Sequence, residues 1–343
     1  MSTRSPRQIA ITLGQYTVAL LALWWLARQI DILSAARRLL GLDPLIIGAL
    51  LGISLVGAFA QFGTWAAVFG PIKRVGLRSV ASISLVVNFI NQLLPSRLSG
   101  RLAAPFVIRS ATGMEYSDAA AASGVHTGIY AVLYGLVSTV GVVAIWLLEA
   151  PSLGLMAVLA VSTGLYLVAG SVVLVAGTNL RILDPLLARI AAVLGLLPRI
   201  GESLATWVEG LTDFTEASTQ SFRSLASNRR VWLQYAGSWG VVLLLAPAFR
   251  VGLLLGAFGV SFEPIGLLPL YILTAYSVTL LPISPGGVGI TEATATAVFV
   301  TLGVPSDVIV PIVFVDRILG IYLPAIIGWI PAARLDLGRL RTD

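Results

Sequence analysis

Between residues 153 and 176 the chain runs for twenty-four positions without a charged side chain. A helix needs roughly 20 apolar residues to cross the hydrocarbon of a bilayer, so this run is long enough to span one. Five further stretches read as full crossings, at 9–27, 45–69, 119–148, 231–260 and 308–330. Trp24, Trp25, Trp146, Trp232 and Trp329 fall near their ends, where an interfacial aromatic belt belongs. Of the 343 residues, 57% are hydrophobic and only 11% charged. Soluble domains carry about 25% charge. The expected fold is therefore an all-α polytopic membrane protein, a single integral membrane domain over residues 1–343. The apolar stretch at 9–27 reads as a span, not a cleaved leader, because Leu26-Ala27-Arg28-Gln29 makes a poor cleavage site.

Two other apolar regions are interrupted. The first, near 80–113, breaks at Leu94-Pro95-Ser96-Arg97-Leu98-Ser99-Gly100-Arg101. The second, near 265–303, breaks at Leu281-Pro282-Ile283-Ser284-Pro285-Gly286-Gly287-Val288-Gly289. Each half is short for a crossing, and irregular backbone at membrane depth survives only inside protein or beside water. Both regions are expected to be re-entrant helical hairpins. Arginine-rich loops set the direction: Arg4, Arg7, Lys73, Arg74, Arg78, the segment from Arg181 to Arg230, and Arg334, Arg339 and Arg341 belong in the cytoplasm. Arg37 and Arg38 run against this, offset in part by Asp31 and Asp43. Both termini are then cytoplasmic in an inner-membrane protein. The cytoplasmic segment 179–230 carries a partial helical stripe of Leu204, Val208, Leu211, Phe222 and Leu225. That stripe suits surface helices at the headgroup level or a docking site for a partner.

The broken regions share an order of residues. Leu93-Leu94-Pro95 matches Leu280-Leu281-Pro282, and a charge follows each break, Arg101 in one and Glu292 in the other. Gly113 and Gly303 come next, then Ser117-Asp118 and Ser306-Asp307 open the following span. The first hairpin enters from the cytoplasm and the second from the opposite face. This is an inverted-topology repeat, 45–148 and 231–332, with an expected site at mid-membrane where the broken helices meet.

Several residues could carry chemistry there. Gly286, Gly287 and Gly289 allow close backbone approach to a ligand or simply a tight reversal. The helix opening near Ile290, with Ser284 and Thr291 beside it, would aim free N–H groups at an anion. Glu292, Asp316 and Arg317 are embedded charges, and such charges must face one another or a polar cavity. With Arg97 and Arg101 at the opposite tip, Arg317 could hold a phosphate while Glu292 serves as counter-ion. A purely structural ion pair is the alternative. Proton or ion coupling could fall to Glu292, Asp316 or His126. A satisfied interhelical hydrogen bond suits His126 better than a proton relay. Arg250 lies deep in a span and needs a partner.

No cysteine and one histidine leave no zinc or iron–sulfur ligand set, and no cofactor is expected. The net charge of +6 sits in loops, as membrane topology requires, so nucleic acid is not an expected partner. P-loop, His-Glu-x-x-His and Gly-x-Ser-x-Gly patterns are missing.

Residues 281–292, followed by Gly303-Val304 and Asp316-Arg317-Ile318-Leu319, give the chain a family likeness. With Asn91-Gln92-Leu93-Leu94-Pro95-Ser96-Arg97 in the first hairpin, it resembles the transmembrane, flippase-like domain of lysylphosphatidylglycerol synthases and related stand-alone membrane proteins. Gly100-Arg101 stands where that family carries an acidic then a basic residue, and His126 where an Arg is common. The resemblance implies lipid translocation without the soluble aminoacyl-transferase domain. The expected function is movement of an anionic phospholipid or polyprenyl-phosphate headgroup, with no catalysis of its own. The alternatives are a non-transporting anchor for a separate glycosyl- or aminoacyl-transferase and, third, a phospholipid-modifying enzyme that lacks an evident nucleophile.

Overall fold

The computed structural model describes residues 17, 40–93, 97–149, 151–179, 216–281 and 283–334, with the side chains of 93–102 left undescribed. Among these residues every regular element is helical. Five helices are long and apolar enough to cross a membrane: α1 (Pro44–Phe69), α4 (Tyr116–Leu148), α5 (Leu153–Gly177), α6 (Arg229–Ala257) and α9 (Ser306–Ala332). They match five of the six expected crossings; the sixth, 9–27, lies outside the described residues apart from residue 17. The chain is a multi-pass α-helical membrane protein. Its lipid-facing surface is apolar, with Leu55, Val161, Val168, Phe249 and Ile326 all exposed.

The interrupted regions form two helical hairpins. The first pairs α2 (Leu77–Leu93) with α3 (Arg97–Thr112). Their 17 and 16 residues reach about 25 Å at 1.5 Å per residue, short of a ~30 Å hydrocarbon core. The break is shorter than expected: α3 opens at Arg97, which places Arg101 within the helix and not in the turn. The second hairpin runs through α7 (Leu268–Ala275) and a 3₁₀ turn (Tyr276–Leu280). It then reverses through Ser284–Gly289 and returns as α8 (Ile290–Thr301). Gly113 (φ 63°) and Gly303 (φ 84°) follow the two hairpins, each ending a helix in the left-handed conformation that a side chain resists.

Two packed clusters sit at opposite ends of the long helices. One joins the C-terminal end of α1 (Trp65, Val68, Phe69), the first half of α4 and the first hairpin. The other joins the start of α1 (Leu50), the end of α4 (Ile145), the start of α5 (Leu159) and the second hairpin. Each end of the bundle thus holds one hairpin.

Close helix contacts hold the middle. A Cβ on Gly135 would lie 2.9 Å from the Leu167 backbone N, and one on Gly170 2.7 Å from that of Val132, so glycine brings α4 and α5 together. Hydroxyl groups tie the second hairpin to them: Ser162 pairs with Ser277 at 2.7 Å, and Tyr134 donates to the Leu273 carbonyl at 2.7 Å.

Part of the segment expected to form surface helices at the headgroup level or a partner's docking site packs against the bundle itself. A short helix over 216–226 inserts Phe222 into a notch formed by Gly124 and Gly177, and buries Leu225. Ser221 donates to Asp118 at 2.6 Å, and Arg223 Nε caps the end of α5 at the Thr178 carbonyl. Leu204, Val208 and Leu211 lie outside the described residues.

Candidate functional site

A cavity of about 160 Å³ lies at mid-length of α1, α4, α6 and α9, beside the tips of both hairpins. Its polar wall comes from Gln61 on α1, Asn88, Asn91 and Gln92 on α2, Arg250 on α6 and Asp316 on α9. Aromatic faces from Trp65, Tyr130 and Tyr134 cover the rest. Amides and charges are expensive within an apolar bundle unless they bond one another or serve a ligand.

Two of the bounding helices are distorted where they meet the cavity. Val241–Leu245 in α6 and Ile318–Tyr322 in α9 are π-helical, and Val242, Leu243, Leu319, Gly320 and Ile321 line the wall. Such one-turn widenings recur at functional sites because they re-aim side chains and loosen carbonyls.

The embedded charges resolve into two buried pairs. Residues 316 and 317 are about 100° apart on a helix, so they face different neighbours. Asp316 accepts Arg250 Nε at 2.8 Å and Nη2 at 2.7 Å on one oxygen, and the Tyr276 hydroxyl at 2.8 Å on the other. This pair lies on the cavity wall. Arg250 reaches it past two glycines: a Cβ on Gly320 would lie 2.8 Å from Nη2, and one on Gly57 3.9 Å from Nη1.

Arg317 donates from Nε to Glu292 at 2.9 Å, with both side chains at most 2% exposed. The same Glu292 oxygen takes the Tyr322 hydroxyl, and the other accepts the Gly289 N–H at 2.7 Å. The Arg317 guanidinium lies between the rings of Tyr276 and Tyr322, 5.6 and 5.2 Å from their centroids. Neither Glu292 nor Arg317 reaches the cavity wall.

The turn at Gly286–Gly289 is tightly built. Gly286, Gly287 and Gly289 have φ of 59°, 76° and 82°, which L side chains rarely adopt. A Cβ on Gly286 would also overlap Gln92 Oε1, so the two hairpins meet tip to tip at that contact. The open N-terminus of α8 holds an anion already, the chain's own Glu292 carboxylate. Nearby, Ser284 Oγ, Thr291 Oγ1 and Arg317 Nη2 are buried with no hydrogen-bond partner among the described residues.

The structure bears on three parts of the sequence outline, correcting the first and bearing out the interhelical bond expected of His126. Arg317 is sequestered by Glu292 and does not stand open to the cavity, while the side chains of Arg97 and Arg101 lie outside the described residues. Arg250, which needed a partner, finds it in Asp316. His126 forms an interhelical bond: the Tyr235 hydroxyl lies 3.1 Å from Nδ1 and 3.0 Å from the His126 carbonyl. Its ring stacks on Trp65 at 3.8 Å and still borders the cavity. Gln61 and Tyr276 were not singled out from the sequence, because a lone amide or phenol in a span carries no local pattern.

A family model described as the lysylphosphatidylglycerol synthase TM region matches residues 9–328, nearly the whole chain. No curated protein and no solved structure matches it. The match takes in both hairpins, both ion pairs and the cavity, and the chain belongs to the family of the lysylphosphatidylglycerol synthase TM region.

Proposed function

We propose that this protein carries the phosphate-bearing headgroup of an anionic phospholipid or polyprenyl-phosphate lipid across the cytoplasmic membrane. The acyl or polyprenyl chains would stay in the bilayer. The observation that carries this reading is the polar cavity with Arg250 on its wall, placed at mid-bundle where two opposed hairpins meet. A headgroup leaving water loses its hydration, and a walled set of amides and a guanidinium can replace it. The repeated order of helix, hairpin, positive-φ glycine and helix supports an inverted repeat with the hairpins re-entrant from opposite faces, as in carriers that expose one site alternately. Ser284, Gly286, Gly287, Gly289 and Thr291, with the Glu292–Arg317 pair behind them, form one rim of the route. Arg97 and Arg101 would receive the headgroup on the cytoplasmic side, with both termini on that side.

Reconstitution tests the proposal. Vesicles holding the purified chain should move fluorescent phosphatidylglycerol between leaflets at least tenfold faster than protein-free vesicles. A rate equal to that of protein-free vesicles favours the alternative role, an anchor for a separate transferase.

A further inference from the structure

We infer that Arg250 is the phosphate-binding residue of the cavity, and that an anionic headgroup takes the place of Asp316 on it while Asp316 takes up one proton. The inference rests on the proposed headgroup site and adds how its charge is balanced.

The argument begins with the charges on the wall. Among the described cavity residues, Arg250 carries the only guanidinium or ammonium and Asp316 the only carboxylate, and their charges cancel. Both are buried, at 4% and 2% exposure. A phosphodiester monoanion entering this space leaves it with a net negative charge far from water, which is costly. Arg250 is the cation within reach. Its guanidinium is a fork suited to phosphate, and it already presents Nε and Nη2 to an oxygen acid, the Asp316 carboxylate. When the phosphate takes those donors, Asp316 is left beside a second anion. One proton from water on the carboxylate restores neutrality, and no other bond is made or broken.

The neighbouring groups favour Asp316 as the titrating residue. From the second hairpin, the Tyr276 hydroxyl donates to its other oxygen and can keep that bond to a protonated acid. From its own helix, Arg317 is committed to Glu292 of α8. From α1 the wall offers the neutral Gln61 and Ser54, and from α4 the residues His126, Tyr130 and Tyr134. Glu292 suits the role less well, because a backbone N–H, a hydroxyl and a guanidinium all hold it and it does not reach the cavity. His126 is engaged by Tyr235.

The sign follows from linkage. The bound anion raises the affinity of Asp316 for a proton, so binding tightens as pH falls. Across the window between the free and bound proton affinities, binding should weaken by about tenfold per pH unit of rise.

The test uses the full chain in phosphatidylcholine nanodiscs, titrated with short-chain phosphatidylglycerol in lightly buffered solution containing a pH indicator. Wild type should take up about one proton per lipid bound, and short-chain phosphatidylcholine should cause no uptake. Asp316→Asn should bind phosphatidylglycerol at least as tightly, with no proton uptake and a flat pH profile. Arg250→Ala should lose at least tenfold in affinity, whereas Arg250→Lys, which keeps the charge and guards against misfolding, should retain proton uptake. The deacylated headgroup glycerophosphoglycerol should bind far more weakly; equal affinity would make a soluble phosphodiester, not a lipid, the ligand and overturn that part. Binding of phosphatidylglycerol without proton uptake by wild type, or with unchanged uptake by Asp316→Asn, overturns the inference. The outcome is separable from the transport reading: proton-linked binding without leaflet exchange sinks transport alone, and exchange without proton uptake sinks this coupling alone.

Discussion

Replacing Glu292 with alanine will destabilise the protein more than any substitution on its lipid-facing surface. The change strands three donors at once: Arg317 Nε, the Tyr322 hydroxyl and the Gly289 N–H that opens α8. Arg317 is 2% exposed and cannot turn to water. Breaking a buried pair in this way costs about 3–5 kcal/mol. At roughly 2 °C per kcal/mol for a chain of this size, the midpoint of thermal unfolding in detergent should fall by about 6–10 °C. Arg317→Met alone should be comparably harmful, since it leaves a buried carboxylate. The double variant Glu292→Ala/Arg317→Met removes both charges and should cost far less than the two single changes together. A double-mutant cycle should therefore return a coupling of several kcal/mol, on the order of the pair's penalty. Simple additivity would mean that the two charges are held by something other than each other.

Gly328→Leu is expected to pry α9 away from the first hairpin. A Cβ at this position would overlap the Leu85 carbonyl oxygen and stand 3.1 Å from the Phe89 Cβ. The obstacle is backbone, so α9 must shift as a body. Leu85 and Pro324 belong to the cavity wall, so the shift should open the site as well as weaken the fold. Overpacking of this kind costs about 1–3 kcal/mol or more. Gly328→Ala should show a smaller loss of the same sign. Gly164→Leu on α5 is the control, because nothing lies within 4 Å of a Cβ there. Thermal unfolding and leaflet exchange measured on the three variants check this. Gly328→Leu behaving like Gly164→Leu would show that α2 and α9 do not pack as described.

How much of this was legible beforehand varied with the range of the interaction responsible. The spans were legible because lipid imposes its demand locally, on some twenty consecutive residues. The hairpins were legible for the same reason, since Pro and Gly in an apolar run have few tolerable locations. The Glu292–Arg317 contact was accessible from cost alone, since neither charge can stand unpaired within a span. Arg250 and Asp316 obey the same rule but lie 66 residues apart, and only the bundle decides which charge meets which. The π-helical turns, Val241–Leu245 and Ile318–Tyr322, have no marker in their apolar letters. The N-terminal site of α8 looked open in sequence because a Glu at the third helical position can cap its own helix or face a ligand. The fold chose the cap. Phe222 read as a stripe residue for the membrane surface, and two glycines on other helices, Gly124 and Gly177, made it a packing residue instead.

The central claim, that a headgroup crosses through the cavity between the hairpins, can be tested by plugging that space. The natural chain has no cysteine, so Asn88→Cys places a single thiol on the cavity wall, and Gly164→Cys places one on the open face of α5. Both variants are reconstituted, and exchange of labelled phosphatidylglycerol is measured before and after reaction with a bulky, membrane-permeant maleimide. The account predicts that modification reduces exchange through the Asn88→Cys protein to the protein-free rate and leaves the Gly164→Cys protein unchanged. Undiminished exchange after complete modification at residue 88 would contradict it.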